Sequence, residues 1–138
     1  MHGYDALSGI AGAPNEAAAR LRRASFKSMV IGSVLQVLGA LLVHFIPVFF
    51  TGNLYPVLAT LTGAGTGFLY GRAARGASMA RRLQGGALTA GTGGVFGTVL
   101  FALLGHLPFQ LVPVAVITCS VAGALGAPLG RIRRAALS

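Results

Sequence analysis

Residues Gly63 to Gly97 read GAGTGFLYGRAARGASMARRLQGGALTAGTGGVFG: a glycine-rich apolar segment, a short basic turn, and a second glycine-rich apolar segment. Gly63, Gly67 and Gly71 recur every four residues, so on a helix they form one row. Gly86, Ala90 and Gly94 make a second row and Gly93 with Gly97 a third, while Gly126 and Gly130 repeat the spacing near the C-terminus. In a water-exposed helix each glycine costs about 1 kcal/mol relative to alanine. In lipid the same residues let two backbones approach closely, the small-xxx-small rule. The stretch predicts membrane helices packed through glycine rows, a glycine zipper.

Composition agrees. Of 138 residues, 54% are apolar and only 9% charged, with a mean hydropathy of +0.76. A soluble domain carries about a quarter charged residues. Eleven Lys and Arg stand against two acids, Asp5 and Glu16, for a formal charge of +9. No basic run is interleaved with aromatics, so the excess charge does not point to nucleic acid. The single cysteine, Cys119, excludes an internal disulfide and a zinc site and reads as a small packing residue.

Four uncharged stretches follow along the chain, at about 29–50, 55–71, 85–104 and 111–129. Each is read as a transmembrane helix crossing about 30 Å of hydrocarbon at 1.5 Å per residue. The second is short for a span, with Pro56 in its first turn, where a missing N–H is harmless. Thr51-Gly52-Asn53 forms a turn before it. Residues 1–28 read as a polar, then basic, N-terminal segment with a short surface helix from Asn15. They offer neither a secretory h-region nor an amphipathic presequence.

Four crossings place the N-terminal segment, the middle turn and the C-terminus on one side, and all eleven basic residues fall there. The positive-inside rule makes that side the cytoplasm of a bacterium or the matrix of a mitochondrion. The chain also repeats itself. Val37 to His44 (VLGALLVH) matches Val99 to His106 (VLFALLGH) at six of eight positions, and Gly67 to Arg72 (GFLYGR) aligns with Gly126 to Arg131 (GAPLGR). The expected fold is an all-α integral membrane protein, a four-transmembrane-helix bundle of two hairpin repeats. Residues 29–138 would form its single domain.

The central stretch resembles the signature of the Tim-type mitochondrial inner-membrane translocase family, which includes preprotein and amino-acid transporters. Gly67 and Tyr70 match its opening, Arg81 follows after ten residues, and Gly93 and Gly97 match its end. Gly85 stands where the family has Asp, and Thr92 where it has a small residue. The match covers about a quarter of the chain. The family also contains an accessory subunit of respiratory complex I, and the resemblance implies the mitochondrial inner membrane. The residues themselves leave a bacterial inner membrane as the alternative.

Catalysis has no visible apparatus, since neither acid lies in an apolar stretch and no nucleophile–base spacing is present. His44 and His106 sit at the uncharged ends of the first and third stretches. Two histidines without a carboxylate or a second ligand pair make a poor metal or haem site, and they read as interfacial side chains. A transport path would draw on Gln36, Thr60, Thr62, Thr66, Thr89, Thr92, Thr98, Thr118 and Ser120. Those hydroxyls can equally bond their own helix. Import channels of the family are thought to attract basic presequences with acids, which this chain lacks.

A scaffold role remains. Arg72, Arg75, Arg81, Arg82, Arg131, Arg133 and Arg134 form a basic rim suited to cardiolipin or another anionic phospholipid, or to a partner subunit. The sequence therefore predicts a non-catalytic accessory subunit of a mitochondrial inner-membrane respiratory complex, foremost complex I. Its partners would be lipids and the other subunits, with no cofactor. The alternatives are a protein-import translocase subunit and a small oligomeric transporter or channel.

Overall fold

The computed structural model describes the backbone of residues 5–46, 48 and 54–135, and the side chains of residues 15–46, 48 and 54–130. The expected turn at Thr51-Gly52-Asn53, and the end of the first stretch at Phe50, lie outside them. The described residues are all-α, with four long helices: α1 (Asp5–Phe45), α2 (Leu54–Ala73), α3 (Met79–Leu103) and α4 (Val112–Ala135). A single 3₁₀ turn, Phe109–Leu111, leads into α4.

Three segments are long and apolar enough to cross a membrane: Asn15–Phe45, Met79–Leu103 and Phe109–Gly130. The sequence reading expected four. The remaining helix, α2, has 20 residues and so a length of about 30 Å, but it is not among the three. Its glycines and threonines make it less apolar, and it packs against all three other helices.

α1 also departs from expectation. In place of a separate surface helix and a span starting at Met29, one 41-residue helix of about 62 Å runs from Asp5 to Phe45. Between Pro14 and Gly32 the sequence contains no glycine or proline to stop it, and its Ala, Leu and Arg residues favour helix. Glu16 and Arg20 form an exposed i,i+4 pair at 3.8 Å on this segment.

The α2–α3 turn closes around Gly76, whose φ of +79° is left-handed. Ser78 then caps α3, its Oγ accepting from the Arg81 N–H at 3.4 Å. α3 thus begins six residues before the expected Gly85. Ser78, followed by a helix-forming run, was the legible signal for that earlier start.

At its far end α3 stops in a Schellman motif. Gly105 has φ +79°, its N–H donates to Ala102 O at 3.0 Å, and the His106 N–H donates to Phe101 O at 3.2 Å. A Cβ at Gly105 meets no heavy atom within 4 Å, so the barrier to substitution there is conformational. Gly105→Ala is expected to cost about 1–2 kcal/mol, the left-handed penalty for an L-residue. Thermal unfolding of the detergent-solubilised protein measures it.

Successive contacts fix the directions. Gly32 meets Thr66 and Gln36 meets Ala59, so α1 and α2 are antiparallel. Gly63, Gly67 and Gly71 meet Cys119, Gly123 and Ala127 in the same order, so α2 and α4 run parallel. Gly93 and Gly97 meet Gly32 and Gln36, so α1 and α3 are parallel as well. The helices alternate up and down, with α2 and α3 on the inner diagonal and α1 and α4 outside.

The interior is built mostly of small residues, with Tyr55, Tyr70 and Phe101 the large rings among them, and the exterior of large ones. Buried positions on α1 are Ser28, Gly32, Gln36, Ala40 and Val43, a stripe at spacings of three and four. Leu38, Phe45, Leu61, Leu88, Phe96, Leu103, Ile117 and Leu125 all face outward. A water-soluble domain buries its large apolar residues. Here the order is reversed, as expected where lipid rather than water surrounds the helices.

Candidate functional site

Three regions hold the residues singled out by the sequence: the inner helix contacts, the basic end, and the opposite, uncharged end.

The inner contacts centre on α4. Its small residues Cys119, Gly123 and Ala127 recur every four residues and are approached from two sides. From α2, a Cβ on Gly67 would overlap the Gly123 carbonyl and stand 2.8 Å from its Cα, and Gly63 and Gly71 face Cys119 and Ala127 in the same way. From α3, a Cβ on Gly86 would stand 2.5 Å from Gly123 O, one on Gly94 would stand 2.9 Å from Cys119 Cβ, and Ala90 packs directly on Gly123. Gly126 and Gly130 face back onto α2 at Ala64 and Phe68. Gly123 itself was not singled out from the sequence, although its spacing of four from Cys119 and Ala127 was there to read.

Gly93 and Gly97 point the other way, onto α1. A Cβ on Gly97 would stand 2.7 Å from Gln36 Cβ. Gln36 is buried, and its Nε2 donates to Ala59 O on α2 at 2.9 Å and lies 3.7 Å from Cys119 Sγ on α4. One amide thereby links three helices.

Seven of the eight hydroxyls considered for a transport path bond back along their own helices. Thr60, Thr66, Thr89, Thr92, Thr98, Thr118 and Ser120 each donate to the carbonyl four residues earlier, at 2.6–2.9 Å. Such bonds satisfy the hydroxyl without a neighbour or a solute.

At the basic end, Arg72, Arg75 and Arg81 line a crevice of 1160 Å³ between α1 and the α2–α3 turn, together with Arg20 and Lys27 of α1. Arg82 is placed differently from Arg72, Arg75 and Arg81. It is 8% exposed and its Nε donates to Ala77 O at 3.1 Å, closing the turn instead of facing outward. Arg131, Arg133 and Arg134 lie on the last turns of α4, their side chains outside the described residues. The sequence put Arg20 and Lys27 on this same side, near the headgroups, without joining them to the middle-turn arginines. Their distance in sequence from the middle turn is bridged only because α1 stays helical beyond Met29.

At the uncharged end, the chain's two matched histidines meet. His44 Nδ1 and His106 Nε2 lie 2.7 Å apart, a hydrogen bond between rings 62 residues apart in sequence. Phe101 lies beneath, its ring 5.0 Å from that of His106 and stacked at 3.8 Å on Tyr55. No group of three or more His, Cys, Asp or Glu comes together among the described residues.

No family model, curated protein or solved structure matches the chain.

The resemblance to the translocase family thus rests on its five motif residues, and the structure gives them separate surroundings. Gly67 faces α4, Gly93 and Gly97 face α1, and Arg81 lines the crevice. Tyr70 lies against Gly85, its ring filling the space a Cβ there would need. An Asp at position 85, the residue of the family pattern, would have to displace that ring.

Proposed function

We propose that this chain is a multi-pass membrane protein acting as a non-catalytic, structural subunit of a larger membrane assembly. The observation that carries the reading is the contact of α4 with α2 and α3. At Gly67, Gly71 and Gly123 there is no room for a single Cβ atom, so no solute path can run along that seam. Large apolar side chains outside, and hydroxyls bonded within their own helices, support a body that is stable in lipid and offers apolar surface to neighbours.

In its finer form, the bundle consists of two hairpin copies locked by glycine zippers, and the assembly is a respiratory complex of the mitochondrial inner membrane, foremost complex I. The repeated VLxALLxH segments and the convergence of His44 with His106 support the duplication. The motif residues Gly67, Tyr70, Arg81, Gly93 and Gly97 support the family, and with it the organelle.

Solubilisation of native membranes in gentle detergent, native-gel separation and mass spectrometry test this. Migration in a large assembly with respiratory-chain subunits is the expected result. Migration with protein-import subunits would replace complex I by a translocase, and migration as a small homo-oligomer would overturn the scaffold role.

A further inference from the structure

The basic crevice is more than a ring of arginines. Ala17, Arg20, Leu21, Ala24, Lys27, Ser28 and Ile31 all line it, and their spacing puts them on one stripe of α1. Across from that stripe stand Arg72, Arg75 and Arg81. Five cations therefore converge from elements about 50 residues apart, and Glu16 is the one carboxylate among the lining residues. Glu16 already pairs with Arg20 at 3.8 Å. The excess of positive charge that remains favours a polyanion.

The crevice has a second character. Ile31 on α1 and Leu69 on α2 give the crevice an apolar wall on the membrane side of Lys27 and Arg72, while Leu21 lies among the charged residues. At 1160 Å³ it is larger than the 300–1,000 Å³ of an ordinary small-molecule pocket. A lone phosphate would use the rim and leave the wall empty.

We infer that this crevice binds one anionic phospholipid, its phosphate groups on Arg20, Lys27, Arg72, Arg75 and Arg81 and an acyl chain against Ile31 and Leu69. A lipid carrying two phosphates fits the spread of charge best. The bound lipid ties the extramembrane part of α1 to the α2–α3 turn, joining parts of the chain that otherwise repel one another. This inference rests on the membrane reading above, and carbonate extraction of native membranes tests that reading separately: release of the chain into the soluble fraction would sink it whatever the lipid result.

The experiment is native mass spectrometry of the delipidated protein in neutral detergent, titrated with cardiolipin, phosphatidylcholine and inorganic diphosphate. Two double variants are compared, Arg20→Gln with Lys27→Gln, and Arg22→Gln with Arg23→Gln. Both remove two charges from the same segment of α1, but Arg22 and Arg23 are exposed and do not line the crevice. Cardiolipin is expected to bind at least tenfold more tightly than phosphatidylcholine. The first variant should lose roughly thirtyfold, given that each of the two cations near an anionic lipid surface contributes about 1 kcal/mol, and the second should stay within about twofold of the parent. Equal losses in the two variants would mean diffuse charge attraction and overturn the site. Diphosphate binding as tight as that of cardiolipin would overturn the lipid assignment in favour of a free phosphate ligand.

Discussion

Gly67→Val is expected to separate α2 from α4 and to lower the stability of the detergent-solubilised protein by about 3 kcal/mol or more, at or beyond the upper end of typical overpacking costs. The Cβ alone would overlap the Gly123 carbonyl, and backbone cannot rotate away as a flexible side chain can. Relief requires the two helices to move apart. That movement also opens the contacts at Gly63 with Cys119 and at Gly71 with Ala127, because all three pairs lie on one seam. Gly67→Ala already carries the overlapping atom, so it should cost a substantial part of the same amount. Two other glycines provide the contrast. Gly39 and Gly65 lie in α1 and α2, and a Cβ on either meets nothing within 4 Å. Gly39→Ala and Gly65→Ala should be neutral or stabilising by up to about 1 kcal/mol, the helix-propensity gain. Unfolding by titration with a denaturing detergent, followed by circular dichroism, measures all four variants. Equal effects at Gly67 and Gly65 would show that glycine matters in this helix for composition and not for contact.

The contrast between Gly67 and Gly65 also marks how far the sequence could be read. A period of four in small residues is visible in one dimension, and so are apolar stretches free of charge. These were enough for an all-α chain with long apolar helices. Which neighbour each row meets is a three-dimensional question: Gly67 turns to α4 and Gly93 to α1, although both belong to the same glycine-rich stretch. Gly123, in a row with Cys119 and Ala127, was passed over. The length of α1 was misjudged because charge was taken as a boundary, whereas a helix ends only where capping or backbone chemistry stops it. Arg20 and Lys27 were read on the basic side, but their convergence with Arg72, Arg75 and Arg81 was not. Arg82 illustrates the opposite limit: its neighbour Arg81 faces the crevice, and one residue's rotation about the helix turns Arg82 onto the Ala77 carbonyl. The meeting of His44 with His106, by contrast, was foreshadowed by the repeated VLxALLxH pattern, because parallel helices α1 and α3 bring equivalent positions level.

Phe101→Ala is the second change expected to have a large effect, about 3 kcal/mol, the lower end of the range for buried Phe-to-Ala substitutions. Phe101 is 5% exposed, stacks on Tyr55 of α2 at 3.8 Å, and belongs to the buried cluster that includes Ala40, Val43 and Ala59. It is thus the side chain through which α1, α2 and α3 meet at the uncharged end. Its ring also underlies His106, and its carbonyl accepts the His106 N–H that closes the Schellman motif. Truncation leaves a cavity beneath His106 and removes the surface that orients it against His44. Phe96, five residues earlier on the same helix, is 55% exposed and faces away from the bundle. Phe96→Ala should leave stability within about 0.5 kcal/mol of the parent, as surface changes generally do. The two variants lose the same atoms from the same helix, so their compositions are matched. A second readout separates local from global damage. Imidazole signals of His44 and His106, observed by NMR in micelles, should shift in Phe101→Ala at temperatures where the helices remain folded, and stay in place in Phe96→Ala. Equal stability losses in the two variants would show that the outward phenylalanine is itself buried, against a partner or a second copy of the chain. An unshifted histidine pair in Phe101→Ala would show that the Schellman turn alone positions His106.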